Sequence, residues 1–171
     1  MRYDYFETDI AGTLVLAGDD AGLHHLNFVN GRHPVAVGSD WQRDPATFAG
    51  IKRQLTEYFA GDRRTFDVTL CMEGTPFQRQ VWAALRDIPY GRVVSYQWIA
   101  DRIGRPGAVR AVGAANGRNP ISIIVPCHRV IGKDGSLTGY GGGLDLKRRL
   151  IHLENPDALP AGQTRLPFAT F

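Results

Sequence analysis

Residues 75–117 carry three helical signals in succession, and the joint between the last two constrains the fold more than anything else in the chain. "TPFQRQVWAALRDIPYG" offers Thr75 as a cap, Pro76 in the first turn, and Phe77, Val81, Trp82 and Leu85 along one face. "SYQWIADRIG" follows with Ser95 as cap and Trp98, Ile99 and Ile103 for the core. The turn "GRPG" then leads into "AVRAVGAANG", rich in alanine and closed by Asn116-Gly117. Two short helices parted by a tight glycine turn make a helix-turn-helix pattern, which many helical pairs also resemble.

The second of these helices lacks bulk. Ala108, Ala111, Gly113, Ala114 and Ala115 are small, and Arg110 is its only long polar side chain. A helix that reads a major groove needs several base-contacting side chains. A slim one can approach a backbone closely, or simply pack against another helix. Charge favours a nucleic acid. Residues 1–74 hold seven Lys+Arg against eleven Asp+Glu, whereas residues 75–155 hold twelve against five, so only the second half suits a polyanion.

The first half reads as a small mixed unit. "RYDYFETD", "TLVLAGDD" and "GLHHLNFV" are partly alternating runs parted by Gly and Asp, which predicts a strand meander. "DPATFAGIKRQLTEYFAG" predicts a helix capped by Asp44, with Phe48, Ile51, Leu55, Tyr58 and Phe59 at helical spacing. The fold class is thus α+β. A meander-plus-helix domain (1–72) precedes a mostly helical, winged-helix-like domain (73–155), and a tail (156–171) follows. Cys71 lies near the join with no histidine close in sequence, and reads as a small packing residue. No apolar run approaches the roughly 20 residues that cross a bilayer. The N-terminus has no signal-peptide apolar region, so a cytoplasmic protein with free thiols is expected, and a monomer is the default for a small protein of this build.

Chemistry concentrates at "IIVPCHRVIG", where Cys127 and His128 adjoin after an expected extended run, "RNPISIIVP". A free cysteine is only about 3% thiolate at pH 7, and a neighbouring base raises that fraction. Neighbours in a strand point to opposite faces, so contact needs a bend after Pro126 or a bridging water. Glu154 ends a last helix, "LDLKRRLIHLE", and could orient the imidazole, although an acid there faces the negative end of the helix dipole. A nucleophile with a base and an orienting acid also fits a cysteine hydrolase. A DNA-binding module without chemistry is the third reading.

"GTPFQRQVWAALRDIPYGRVVSYQWIADRIGRPGAVRAVGAANGRNPISIIVPCHRVIG", with "TGYGGG" after it, resembles the O6-alkylguanine-DNA alkyltransferases, most closely their free-standing bacterial members. The likeness runs from Gly74 to Glu154 and is weaker before it. It implies DNA repair by single, irreversible transfer of an alkyl group from O6-alkylguanine, and from O4-alkylthymine, in double-stranded DNA to Cys127. His128 would act as base through a water, with Glu154 orienting it. Tyr96 would give a proton to the departing guanine, and Asn119 would hold the turn that links the helices to the site. Arg110 would fill the gap left by a flipped base, with Ser95, Ala111, Gly113, Ala114 and Arg118 also against DNA. Tyr140, Gly141, Pro126 and Val130 would wall the base pocket. At Gly141 some family members carry a hydroxyl-bearing or larger residue. No cofactor is implied. The zinc site of some relatives needs N-terminal cysteines, and residues 1–70 have none. His24, His25 and His33 alone make a poor zinc set.

Overall fold

The computed structural model describes residues 1–159, so the tail beyond Leu159 lies outside the described residues. The alternating runs form β1 (Arg2–Thr8), β2 (Gly12–Asp19) and β3 (Gly22–Phe28), joined antiparallel. A two-residue β4 (Gln42–Arg43) adds parallel to β1, giving the order β3-β2-β1-β4. Leu14, Leu16, Leu26 and Phe28 share one buried cluster with Phe48 and with Leu55 and Tyr58 of the following helix, α1 (Ala49–Phe59). Asp44 does not cap α1 itself. Its carboxylate takes the amides of Ala46 and Thr47 in a turn before the helix, and Phe48, with no capping side chain, stands at the helix start. The sequence also gave no sign that Asp4 is buried in β1, where Arg43 and Lys52 neutralise it.

The second half contains α2 (Pro76–Arg86), α3 (Tyr96–Arg102), α4 (Val109–Gly117) and α5 (Leu144–Glu154). Thr75 and Gln78 form a reciprocal capping box at the start of α2, and the Ser95 hydroxyl accepts the Trp98 amide to start α3. The Trp82 indole donates to the Ala115 carbonyl at 2.9 Å, which fixes α4 against α2. A short parallel pair, β5 (Val94–Ser95) with β6 (Val130–Ile131), completes the unit.

The two halves share one apolar core. The Leu26 amide donates to the Pro120 carbonyl and the Ser122 amide to the Leu26 carbonyl, so β3 grips the chain just before the cysteine. Residues 120–126 are consequently not the extended run expected. Val125 bonds back to Ile121, and Ile123 adopts a φ of +73°, rare for a β-branched residue. Ile121, Ile123 and Val125 are all buried, and that burial holds the turn closed.

Candidate active site and nucleic-acid interface

The reversal at 120–126 delivers Cys127, His128 and Arg129 as one 3₁₀ turn rather than a strand. Cys127 and His128 therefore need not face opposite ways, yet they make no hydrogen bond to each other. The Cys127 thiol instead receives the Asn119 amide at 3.1 Å. The same amide donates to the Val125 carbonyl at 2.8 Å, while the Asn119 side-chain oxygen accepts the Ile121 amide. One asparagine thus holds both ends of the turn and touches the nucleophile. Burial pushes the thiol's pKa up, against the Asn119 bond and the nearby Lys147 charge.

His128 is fully buried, and one ring nitrogen, Nε2, lies 2.7 Å from Glu154 Oε1. Glu154 also accepts from Arg129 Nε at 2.8 Å, from Arg129 Nη2 at 2.9 Å, from the Tyr58 hydroxyl at 2.7 Å and from the Gly91 amide at 3.2 Å. Burial would raise this carboxyl, but His128 and Arg129 outweigh it and hold it well below the usual range. The unfavourable helix end is answered by these donors. An ionised Glu154 keeps the proton on Nε2, which leaves Nδ1 as the basic nitrogen. Nδ1 is buried and has no protein partner. Burial lowers the imidazole's pKa, with Glu154 opposing, so the ring rests neutral and able to accept.

Tyr96 begins α3, and its hydroxyl donates to the Thr138 carbonyl at 3.0 Å. Lys147 on α5 has no solvent exposure. Its ammonium donates to Thr138 O at 2.9 Å and stands 3.5 Å from the Tyr96 hydroxyl. Sequence reasoning missed Lys147, Arg129 and Tyr58. The spacing Lys147, Leu150, Ile151, Glu154 put a lysine on the inward stripe of α5, a signal that was available. Burial drops the Lys147 pKa to about 8. Between pH 8 and its unfolded value the unfolded chain binds the proton and the folded one does not, so stability should rise with pH across that window. Lys147→Met should flatten the rise between pH 8 and 10 in urea titrations, and an unchanged slope would place the lowered lysine elsewhere.

A cleft reaches Cys127, lined by Asn116, Asn119, Ser122, Tyr140 and Gly141 from this half, and by Asn27, Phe28, Gly31 and His33 of the meander. The Arg32 amide donates to Gly141 O at 2.8 Å, tying the meander to that wall. Pro126 and Val130 are not on it. Pro126 lines a separate depression beside Arg129, and Val130 is sealed in β6, because the 3₁₀ turn carries both behind the cysteine. On α4, Arg110, Ala111, Ala114 and Gly117 form an exposed face that Arg118 continues just past the helix end, while Val112, Ala115 and Asn116 pack inward. Gly113 lies off that face, where an added Cβ would meet the Tyr96 ring at 3.9 Å, and the Ser95 hydroxyl is engaged in its cap.

Cys71 is a free, half-buried thiol at the join. Its backbone pairs beside Leu23, which brings its thiol, His24 and Glu73 within 4.8 Å of one another. Three donors fall short of the four of a structural zinc site. No helix among the described residues is long and apolar enough to cross a membrane.

A buried thiol with an asparagine on its sulfur and a histidine–glutamate pair behind it, beneath a slim exposed helix of a helix-turn-helix, defines a cysteine-acceptor protein built to work on a large ligand. Residues 1–72 match the family model of the 6-O-methylguanine DNA methyltransferase ribonuclease-like domain, and residues 76–156 that of its DNA binding domain. The chain belongs to the 6-O-methylguanine DNA methyltransferase family. It is 53% identical over 154 residues to a methylated-DNA–protein-cysteine methyltransferase of Methanosarcina acetivorans, covering 90% of this chain and 98% of that one. A Mycolicibacterium paratuberculosis protein of the same description is 55% identical over 144 residues, with 84% and 86% covered. The structure of Mycobacterium tuberculosis OGT in complex with DNA superposes with a TM-score of 0.85 at 50% identity, covering 96% of this chain and 98% of that one.

Proposed function

We propose that this protein repairs duplex DNA by moving the alkyl group of O6-alkylguanine, and of O4-alkylthymine, onto Cys127 in one irreversible step. The observation that carries this reading is a buried thiol that receives the Asn119 amide, adjoins the His128–Glu154 pair in the chain and lines a cleft beside the small-residue helix. In the transfer, Cys127 Sγ bonds to the alkyl carbon as the carbon–O6 bond breaks, and the electron pair stays with guanine. The thiol proton passes through a water to His128 Nδ1. Tyr96 turns its proton from Thr138 O to the departing base, and the Lys147 ammonium stabilises the phenolate left behind. Without that proton the guanine anion is a poor leaving group.

A stacked base cannot bring its alkyl carbon in line with a buried sulfur, so the nucleotide leaves the helix at a cost of a few kcal/mol. The exposed face of α4 supports minor-groove approach. That groove is only about 6 Å wide, and Ala111, Ala114 and Gly117 add little width. Arg110 projects from the same face to occupy the vacated stack. The thioether product offers water no leaving group, so each molecule acts once. A thiol that must stay reduced suits the cytoplasm.

The test is intact-mass spectrometry after mixing with a duplex carrying O6-methylguanine, followed by peptide mapping. One added methyl on Cys127 and no second turnover is the expected result. Repeated turnover would indicate a hydrolase, and binding without a mass change a damage-sensing module.

A further inference from the structure

We propose that the cleft beside Cys127 selects O6 substituents that end in a hydrogen-bond donor, short hydroxyalkyl groups ahead of apolar groups of equal size. The inference rests on the alkyl-transfer reading above and names the substrates that site handles best.

An alkyl group under attack has its first carbon against Cys127 Sγ, so whatever lies beyond that carbon meets the adjoining wall. Asn27, His33, Asn116, Asn119 and Ser122 bring polar groups to that wall, beside the rings of Phe28 and Tyr140. Asn119 is already engaged on both atoms, its oxygen taking the Ile121 amide and both protons of its nitrogen serving Val125 O and the thiol. Asn116 differs. Its amide nitrogen faces the Cys127 carbonyl at 3.4 Å, which holds the side chain beside the nucleophile's own backbone. Its oxygen is shut off from solvent and has no partner. The residue is 4% exposed, on the inward face of α4.

A buried acceptor left unpaired is unfavourable, and a ligand group that donates to it relieves that penalty. A methyl group is too short to do so. A propyl or benzyl group placed against the oxygen brings no donor and also strips water from the other polar walls. A 2-hydroxyethyl group has nearly the shape of propyl and ends in a donor. Sites built around such a polar group reject the analogue that lacks it more strongly than apolar pockets reject an added methylene.

The experiment measures single-turnover transfer from duplexes carrying O6-methyl-, O6-propyl-, O6-(2-hydroxyethyl)- and O6-benzylguanine. Wild type is compared with Asn116→Leu, and with Asn116→Ala should the leucine variant not fold. Hydroxyethyl should transfer about tenfold faster than propyl in wild type, one hydrogen bond's worth of discrimination. That ratio should collapse toward one in the variants, and comparing ratios cancels the intrinsic reactivity of the two adducts. A wild-type ratio near one, with methyl still transferred, would overturn the inference and leave the repair reading intact. A preference that survives in the variants would remove Asn116 from the account. No transfer of any group to Cys127 would overturn the repair reading and this inference together.

Discussion

Cys127→Ser should abolish alkyl transfer, by on the order of 10⁴-fold or more, while duplex binding persists. Cysteine is the most nucleophilic of the side chains that act without a fully developed base, whereas a serine hydroxyl needs nearly complete proton removal in the transition state. His128, neutral and buried, is equipped to take a proton from a thiol and far less so from an alcohol. The fold should tolerate the change. Serine is slightly smaller, and the Asn119 amide that donates to the sulfur at 3.1 Å can donate to a hydroxyl instead. Methyl uptake read by intact mass, beside a gel-shift titration on the same damaged duplex, separates the two effects. Uptake surviving in the variant would shift attention to Cys71, the other free thiol.

Glu154→Gln should have the largest effect on stability, roughly 3–5 kcal/mol, because it leaves the Arg129 guanidinium buried without its counter-charge. Arg129 would keep its bond to the Ile88 carbonyl but lose its two charge-assisted partners on the acid. His128 would also lose the group that fixes its proton on Nε2, so transfer should slow even where the variant remains folded. Urea denaturation reads the first effect as a lower midpoint at unchanged slope. The double variant Glu154→Gln/Arg129→Met serves as control. Removing both charges should be much less damaging than the sum of the single changes, since no buried charge is then left alone. Additive losses would mean that Glu154 and Arg129 act independently. An unchanged transfer rate in folded Glu154→Gln would remove the acid from the proton relay.

The particular elements that could be read from the chain were those fixed by local rules. The caps at Thr75 and Ser95, the small-residue helix α4 and the three-strand meander follow from side-chain capping and hydrophobic period, which act over a few residues. The adjacency of Cys127, His128 and Arg129 was also visible, although what each would touch was not. Asp44 misled because an Asx turn uses the same side chain and the same amides as a helix cap, and only the position of Phe48 in the core decides where the helix begins. The extended reading of 120–126 failed because β3, some ninety residues earlier, captures Leu26's partners and turns the chain back.

By itself, then, the amino-acid sequence determined the α+β class, the helix-turn-helix, the reactive cysteine and the family likeness, all properties set by short-range pattern. Tertiary structure alone decided that Glu154 has Arg129 and Tyr58 to hold its charge, and that Lys147 is buried against Tyr96. It also decided that Asn116 keeps an unpaired oxygen beside the nucleophile. Each of these depends on groups distant in sequence meeting in a medium without water, where a charge or a polar atom gains or loses most from its neighbours. Local propensity carries no information about such meetings.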